Sequence, residues 1–326
     1  SGNAGIREEV YSFADASLRS GQCTKKIDVT MNPANRDHWT YKKAIVAPLP
    51  GTAVIFMQPG ENPYYAQSDR DAMEQAFRHR PDLYERYVKG NFADVFAGVA
   101  VTPEFKERMH VASRRLDPIA GAHGFRFWDG GMNPTCVLCQ ITPMGYLQVL
   151  DSLMYENFGM QQLIETKVIP LLNSPRYGDK IKTWRDLGDA TLDNREGSNS
   201  DNRAAFIIQG LLHTSFERGE QDWEMRREAF HIVLDKMLGG EAYFQVSPHV
   251  SPGEPFNRVI AALAGGWAYP VSPTGKVKRD RPEKNIHSHP GDALSHGLAK
   301  LYLRPKKKQP APDPRTKGKI GRSYSV

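Results

Sequence analysis

No apolar run in this chain approaches the ~20 residues that a membrane-spanning helix needs, so no membrane span is expected. The opening Ser1-Gly2-Asn3-Ala4-Gly5 has no charged-then-apolar leader pattern and no initiator Met, and the chain is read as a piece of a longer or processed protein. Cysteine is scarce. Three is an odd number, which argues against a disulfide framework and fits a reducing cytoplasm. Cys136 and Cys139 form a CxxC, but no second Cys/His pair stands near them to complete a zinc site. On a strand they point to opposite faces, so both are expected in the core. A GxxxxGK[ST] phosphate loop is missing, as is any apolar strand ending in Asp-Glu upstream, which leaves nothing to cradle a triphosphate. No internal repeat shows at a spacing of about 20–50 residues.

The chain has 40% hydrophobic and 25% charged residues, ordinary for a globular protein. Its net charge of +6 is unevenly placed. From Arg304 onward eight Lys and Arg face one Asp, so the tail carries +7 and the rest of the chain −1. Pro, Gly and Lys in this tail predict disorder. It reads as an electrostatic arm for DNA or an acidic partner, or as a solubilising terminus.

Periodicity predicts a helix from Ile6 to Leu18, strands over Cys23–Met31 and Thr52–Met57, and two helical pieces over 69–89 broken at Pro81. Val95–Val101 reads as a strand. Phe125–Asp129, Thr135–Ile141 and Gly145–Asp151 follow with short turns, which implies an antiparallel meander. Then come a helix over 159–173, a strand over 182–187, helices over 200–216 and 222–238, a strand at Ala242–Val246 and a helix at Pro255–Leu263. Hairpin arms at Gly265–Tyr269 and Lys276–Lys278 and a last helix from Asp292 to Tyr302 complete the series. Three antiparallel strands, helix, strand, helices, strand, helix is the order of an α/β ribonuclease H-like fold, a mixed sheet flanked by helices.

Three aspartates sit where such a fold would bring carboxylates together. Asp129 ends an apolar strand before Gly130-Gly131, Asp189 follows Gly188 after the fourth strand, and Asp292 opens the last helix. Three hard oxygen ligands at one sheet edge suit Mg²⁺ or Mn²⁺. Two such ions serve an in-line phosphodiester displacement, with Asp129 bridging them and Asp189 and Asp292 each holding one. The paired glycines would let a phosphate backbone approach closely. His289, three residues before Asp292, reads as a ligand or proton carrier in a pre-helical turn, or else as a cap or packed residue. His287 and His296 rank below it. Asp151, ending the third strand, and Asp193, after the fourth, read as solvated turn residues, with a further ligand role as the alternative.

These segments together resemble the large terminase subunit of tailed bacteriophages, a motor-nuclease that packages viral DNA. The resemblance runs through Phe127-Trp128-Asp129-Gly130-Gly131-Met132-Asn133-Pro134-Thr135, Gln148–Leu153, Leu187-Gly188-Asp189-Ala190, Gly265–Tyr269, and Lys284-Asn285-Ile286-His287-Ser288-His289-Pro290-Gly291-Asp292-Ala293-Leu294. Upstream, Val29–Trp39 with Asn32-Pro33 is similar to the motif that couples ATP hydrolysis to DNA movement, and Phe56–Gly60 and Tyr84–Gly90 to the linker after it. The resemblance implies a remnant of the ATPase core over 1–60, a helical linker over 61–92, a ribonuclease H-like nuclease domain over 93–303 and a basic tail over 304–326. It also implies a metal-dependent endonuclease that cuts concatemeric double-stranded DNA with two Mg²⁺ or Mn²⁺ ions on Asp129, Asp189 and Asp292, with His289 a ligand in some relatives. The Gly265–Tyr269 hairpin would lie near the DNA groove. Portal protein and small terminase subunit would be partners, an oligomeric motor the assembly, and the host cytoplasm the setting. No ATP hydrolysis is expected from this chain alone. A non-catalytic assembly module docking to a portal, or another ribonuclease H-like nuclease such as a resolvase or transposase, is the alternative.

Overall fold

The computed structural model describes residues 6–303 apart from 20, 22–24, 37, 59–60, 79–80, 96–97, 179, 194–202 and 273–275. The basic tail over 304–326 lies outside the described residues. Three consecutive strands form the centre: β1 (His123–Asp129), β2 (Thr135–Ile141) and β3 (Leu147–Met154). They are antiparallel, with Asp129 opposite Thr135 and a register shift between Leu138 and Cys139. On the free side of β1 lie β4 (Trp184–Gly188) and then β5 (Phe216–Arg218), both parallel, and β6 (Phe244–Val246) pairs parallel with β3. The order is β5-β4-β1-β2-β3-β6. A meander extended by parallel strands on the side of its first strand is the ribonuclease H-like topology.

The central strands are apolar on both faces, because helices cover both. The longer described helices are α1 (Glu8–Ser17), α2 (Gln67–Phe77), α3 (residues 160–172, with a wide turn at Ile164–Val168), α4 (Ala204–Leu212), α5 (Trp223–Asp235) and α6 (Ser288–Tyr302). Phe125, Phe127, Val137, Cys139, Val149 and Leu187 pack toward α5 and α6. Trp128, Cys136, Leu138 and Leu150 pack on α3 and α4. The two cysteines therefore lie in the core on opposite faces, as their spacing predicts. A buried ion pair joins β1 to β4 within this core. Asp186 accepts from Arg126 Nε and Nη2 and from Trp128 Nε1, each at 2.7 Å, and also from Thr214.

Several expectations change. Residues 25–31 and 52–58 form no strand. A strand needs a neighbouring ladder for its backbone groups, and no described segment pairs with these; Ile55 is 85% exposed. The strand expected over Val95–Val101 is a two-residue ladder, Val99–Ala100 against Ala268–Tyr269. The segment Gly265–Tyr269 is therefore not a free hairpin arm. Gly265 and Gly266 end a helix, and Trp267 and Tyr269 are core residues; beyond them, among the described residues, Val271 and Val277 form a bridge. The short β5 was not expected. The third strand continues to Met154, so Asp151 lies inside it, buried and held by Arg176, Tyr177 and His249, not solvated in a turn. Asp193 is paired with Arg203 and Arg218. The last helix starts at Ser288, one turn earlier than expected. Pro290 is compatible with this start, since a proline in the first turn costs no helical hydrogen bond.

Candidate metal centre

Alternation along β1 sends Phe125, Phe127 and Asp129 to the face covered by α6. On β4, Leu187 faces the same way, and Asp189, two residues on, follows it. Trp128 is level with Gly188 in the parallel ladder, and the Asp189 N–H donates to the Trp128 carbonyl at 3.3 Å. The two aspartates thus end adjacent strands side by side. Gly188 is what allows the strands to close here: a Cβ at this position would sit 2.6 Å from the Trp128 carbonyl oxygen.

Facing them, α6 presents His289, Asp292 and His296, whose i, i+3, i+7 spacing puts them on one side of the helix. One donor atom each from Asp129, Asp189 and His296 lie within 4.8 Å of one another. His289 Nδ1 bonds Asp129 Oδ2 at 2.7 Å, and its Nε2 lies 3.4 Å from Asn133 Nδ2. Asp292 is buried beside this group, but both its oxygens are engaged: Oδ1 accepts from Arg226 Nη2 at 2.6 Å and Oδ2 from Lys284 Nζ at 2.5 Å. Of the residues singled out from sequence, Asp129, Asp189 and His289 lie together. Asp292 adjoins them with its carboxylate in ion pairs. His296, ranked low, stands among the converging donors. His287 is buried at the head of α6.

The protonation states follow from the surroundings. Burial is the main influence on Asp129 and raises its carboxyl; the His289 bond opposes the rise and the charge of Asp292 adds to it. For Asp189 burial again acts upward, but the bonds from Thr191 and the nearby charges of His296 and Arg226 together hold the carboxyl below its ordinary value. Burial first, and the Arg226 charge second, depress His296 to about 4, so its imidazole is neutral at neutral pH. His296 Nδ1 lies 2.5 Å from the Glu220 carbonyl. A carbonyl only accepts, so Nδ1 carries the proton. Nε2 then turns a bare lone pair toward Asp189 Oδ2, 3.8 Å away.

An imidazole lone pair and two carboxylates that converge without a proton between them repel one another and attract a cation. Neutral His, fixed by a carbonyl on its other nitrogen, together with carboxylate oxygens, is a donor set that fits a divalent ion. The residues present therefore fit a metal at Asp129, Asp189 and His296.

No protein-family model matches the chain, and no curated protein matches it in sequence. Among solved structures, its fold is similar to that of the large terminase from a thermophilic bacteriophage in complex with ADP, at 13% identity and a TM-score of 0.43, over 92% of this chain and 67% of that one. It is also similar to the large terminase nuclease of the thermophilic phage G20c with bound cobalt, at 10% identity and 0.38, over 64% of this chain and 99% of that one. The P22 large terminase nuclease domain aligns at 9% identity and 0.39, over 62% and 92%.

Proposed function

We propose that the chain is a metal-dependent endonuclease that hydrolyses phosphodiester bonds of double-stranded DNA at the centre formed by Asp129, Asp189 and His296. The observation that carries this reading is the convergence of two carboxylates and an unprotonated imidazole nitrogen within 4.8 Å at the ends of adjacent strands. A bound Mg²⁺ or Mn²⁺ would supply Lewis-acid polarisation of the phosphate ester. The chain's own groups do the positioning. His289 holds one oxygen of Asp129 in place, and the Glu220 carbonyl fixes the tautomer of His296. Contacts made through phosphate carry no base information, so cutting depends little on sequence.

In this reading the substrate is concatemeric viral DNA in a host cell, and the portal protein and the small terminase subunit are partners of an oligomeric packaging motor. Without a phosphate loop the chain does not hydrolyse ATP by itself. No described helix is long and apolar enough to cross a membrane. A second reading, a docking module, is favoured by exposed apolar residues in the first ninety positions, where Ile55 is 85%, Met57 74% and Tyr64 95% exposed.

The test is incubation of the purified chain with supercoiled plasmid and Mn²⁺ or Mg²⁺, with EDTA, Asp129→Asn and His296→Asn as controls. Nicking or linearisation that requires the metal and both side chains is expected. Absence of both cleavage and a metal-induced rise in melting temperature would overturn the nuclease reading in favour of the docking module.

A further inference from the structure

Asp292 is 3% exposed, and neither of its carboxylate oxygens is open to an ion. Arg226 is itself fixed, since its Nε donates to Ser295 Oγ at 2.9 Å and its guanidinium lies 5.4 Å from the Trp223 ring centroid. Lys284 differs: its side chain is 72% exposed although its ammonium ends on a buried carboxylate. Lys284 also acts beyond Asp292, because its charge favours the ionised form of Asp129. The ammonium therefore occupies the Asp292 oxygen that a second cation would need.

Charge balance points the same way. Asp129, Asp189 and Asp292 against Lys284 and Arg226 leave one net negative charge, which a single divalent ion already more than neutralises. A second ion would bind against a positive local field unless Lys284 left.

Resting on the metal-centre reading above, we infer that Lys284, held on Asp292 with Arg226, takes the place of a second ion. The centre loads one divalent ion on Asp129, Asp189 and His296, and Lys284, whose side chain is largely exposed, meets the substrate phosphate through its ammonium. Lysine suits this role as a compact point charge on a flexible stem. Asp292 is then the anchor of the built-in cation and not a metal ligand.

Calorimetric titration of the metal-free full chain with MnCl₂ tests this without any turnover. One Mn²⁺ per chain is expected for the wild type. Lys284→Gln frees Asp292 Oδ2 and should take up a second ion, at least tenfold weaker than the first, while Lys284→Arg restores one. Equal melting temperatures of the metal-free proteins would show that the variants fold. In EDTA, Lys284→Gln should lower the salt slope of duplex-DNA binding by about one. Two ions on the wild type, with Lys284→Gln unchanged, would overturn the inference and leave the metal centre standing. One ion on both proteins would overturn the blocking role of Lys284, and an unchanged salt slope its phosphate contact. No binding to any of the three proteins would overturn the metal centre itself, and the inference with it.

Discussion

The approach of α6 to β1 sets the distance between His296 and Asp129, and Gly297 is where the two elements touch. A Cβ added at Gly297 would lie 2.1 Å from Phe127 Cδ1 and 2.3 Å from Cε1, against the ~3.5–4.0 Å of an ordinary carbon contact. Phe127 is fully buried and stacked on Phe125, so its ring has nowhere to go. In α4, by contrast, a Cβ at the exposed Gly210 would meet nothing within 4 Å. Both sites are helical, and Ala is favoured over Gly in a helix by about 1 kcal/mol. That gain is common to the two substitutions, so their difference isolates the packing cost, about 1–3 kcal/mol for an overfilled core. At 2.1 Å the upper end is expected. Gly210→Ala should raise the unfolding midpoint and Gly297→Ala should lower it, as measured by thermal melting or in urea. Gly297→Ala should also weaken Mn²⁺ binding, because the clash displaces His296 on the adjoining residue. Equal stabilisation by the two substitutions would refute the seating of α6 on Phe127.

Removing the charge at the core ion pair by Asp186→Asn leaves Arg126 buried and uncompensated, at a cost of about 3–5 kcal/mol in urea unfolding; a loss under about 1 kcal/mol would contradict the network. His296 moves from about 6.5 when unfolded to about 4 when folded, so between these values the unfolded state binds more protons. Stability of the metal-free protein should therefore fall as pH drops from 6.5 to 4, by up to about 3 kcal/mol, and His296→Asn should flatten that slope in acid unfolding curves. Asp129→Asn removes a carboxylate whose ionisation burial and Asp292 oppose. Its metal-free melting temperature should equal or exceed that of the wild type, while the Mn²⁺-induced rise disappears. A lower metal-free melting point would mark Asp129 as structural.

Much of the sheet could be read from the chain because its signals are local. Short turns join β1, β2 and β3, and the two-residue period of Phe125, Phe127 and Asp129 sets which face the last one takes. The i, i+3 spacing of Cys136 and Cys139 already separates them across the sheet. What escaped depended on partners distant in sequence. Three residues, Phe216–Arg218, become a strand only because β4 lies beside them. The alternating residues at 27–31 and the apolar run at 52–57 suit a strand but have no described ladder to join. Trp267 and Tyr269 looked like part of a hairpin arm because Trp223 and Phe230, which pack on them, come from another helix. His296 was ranked low for a simpler reason. Starting the last helix at Asp292 left His289 off it, and hid the shared face of His289, Asp292 and His296. The ion pairs that engage Asp292 come from Arg226, 66 residues away, and from Lys284 in the loop before α6, and neither is visible as a spacing.

The most direct test is a crystal of this chain soaked in Mn²⁺, with the ion placed by its anomalous scattering. A peak bounded by Asp129, Asp189 and His296 Nε2, with Lys284 still on Asp292, is the predicted result. A peak bridging Asp129 and Asp292 with Lys284 displaced, or no peak at the ends of β1 and β4, would contradict it.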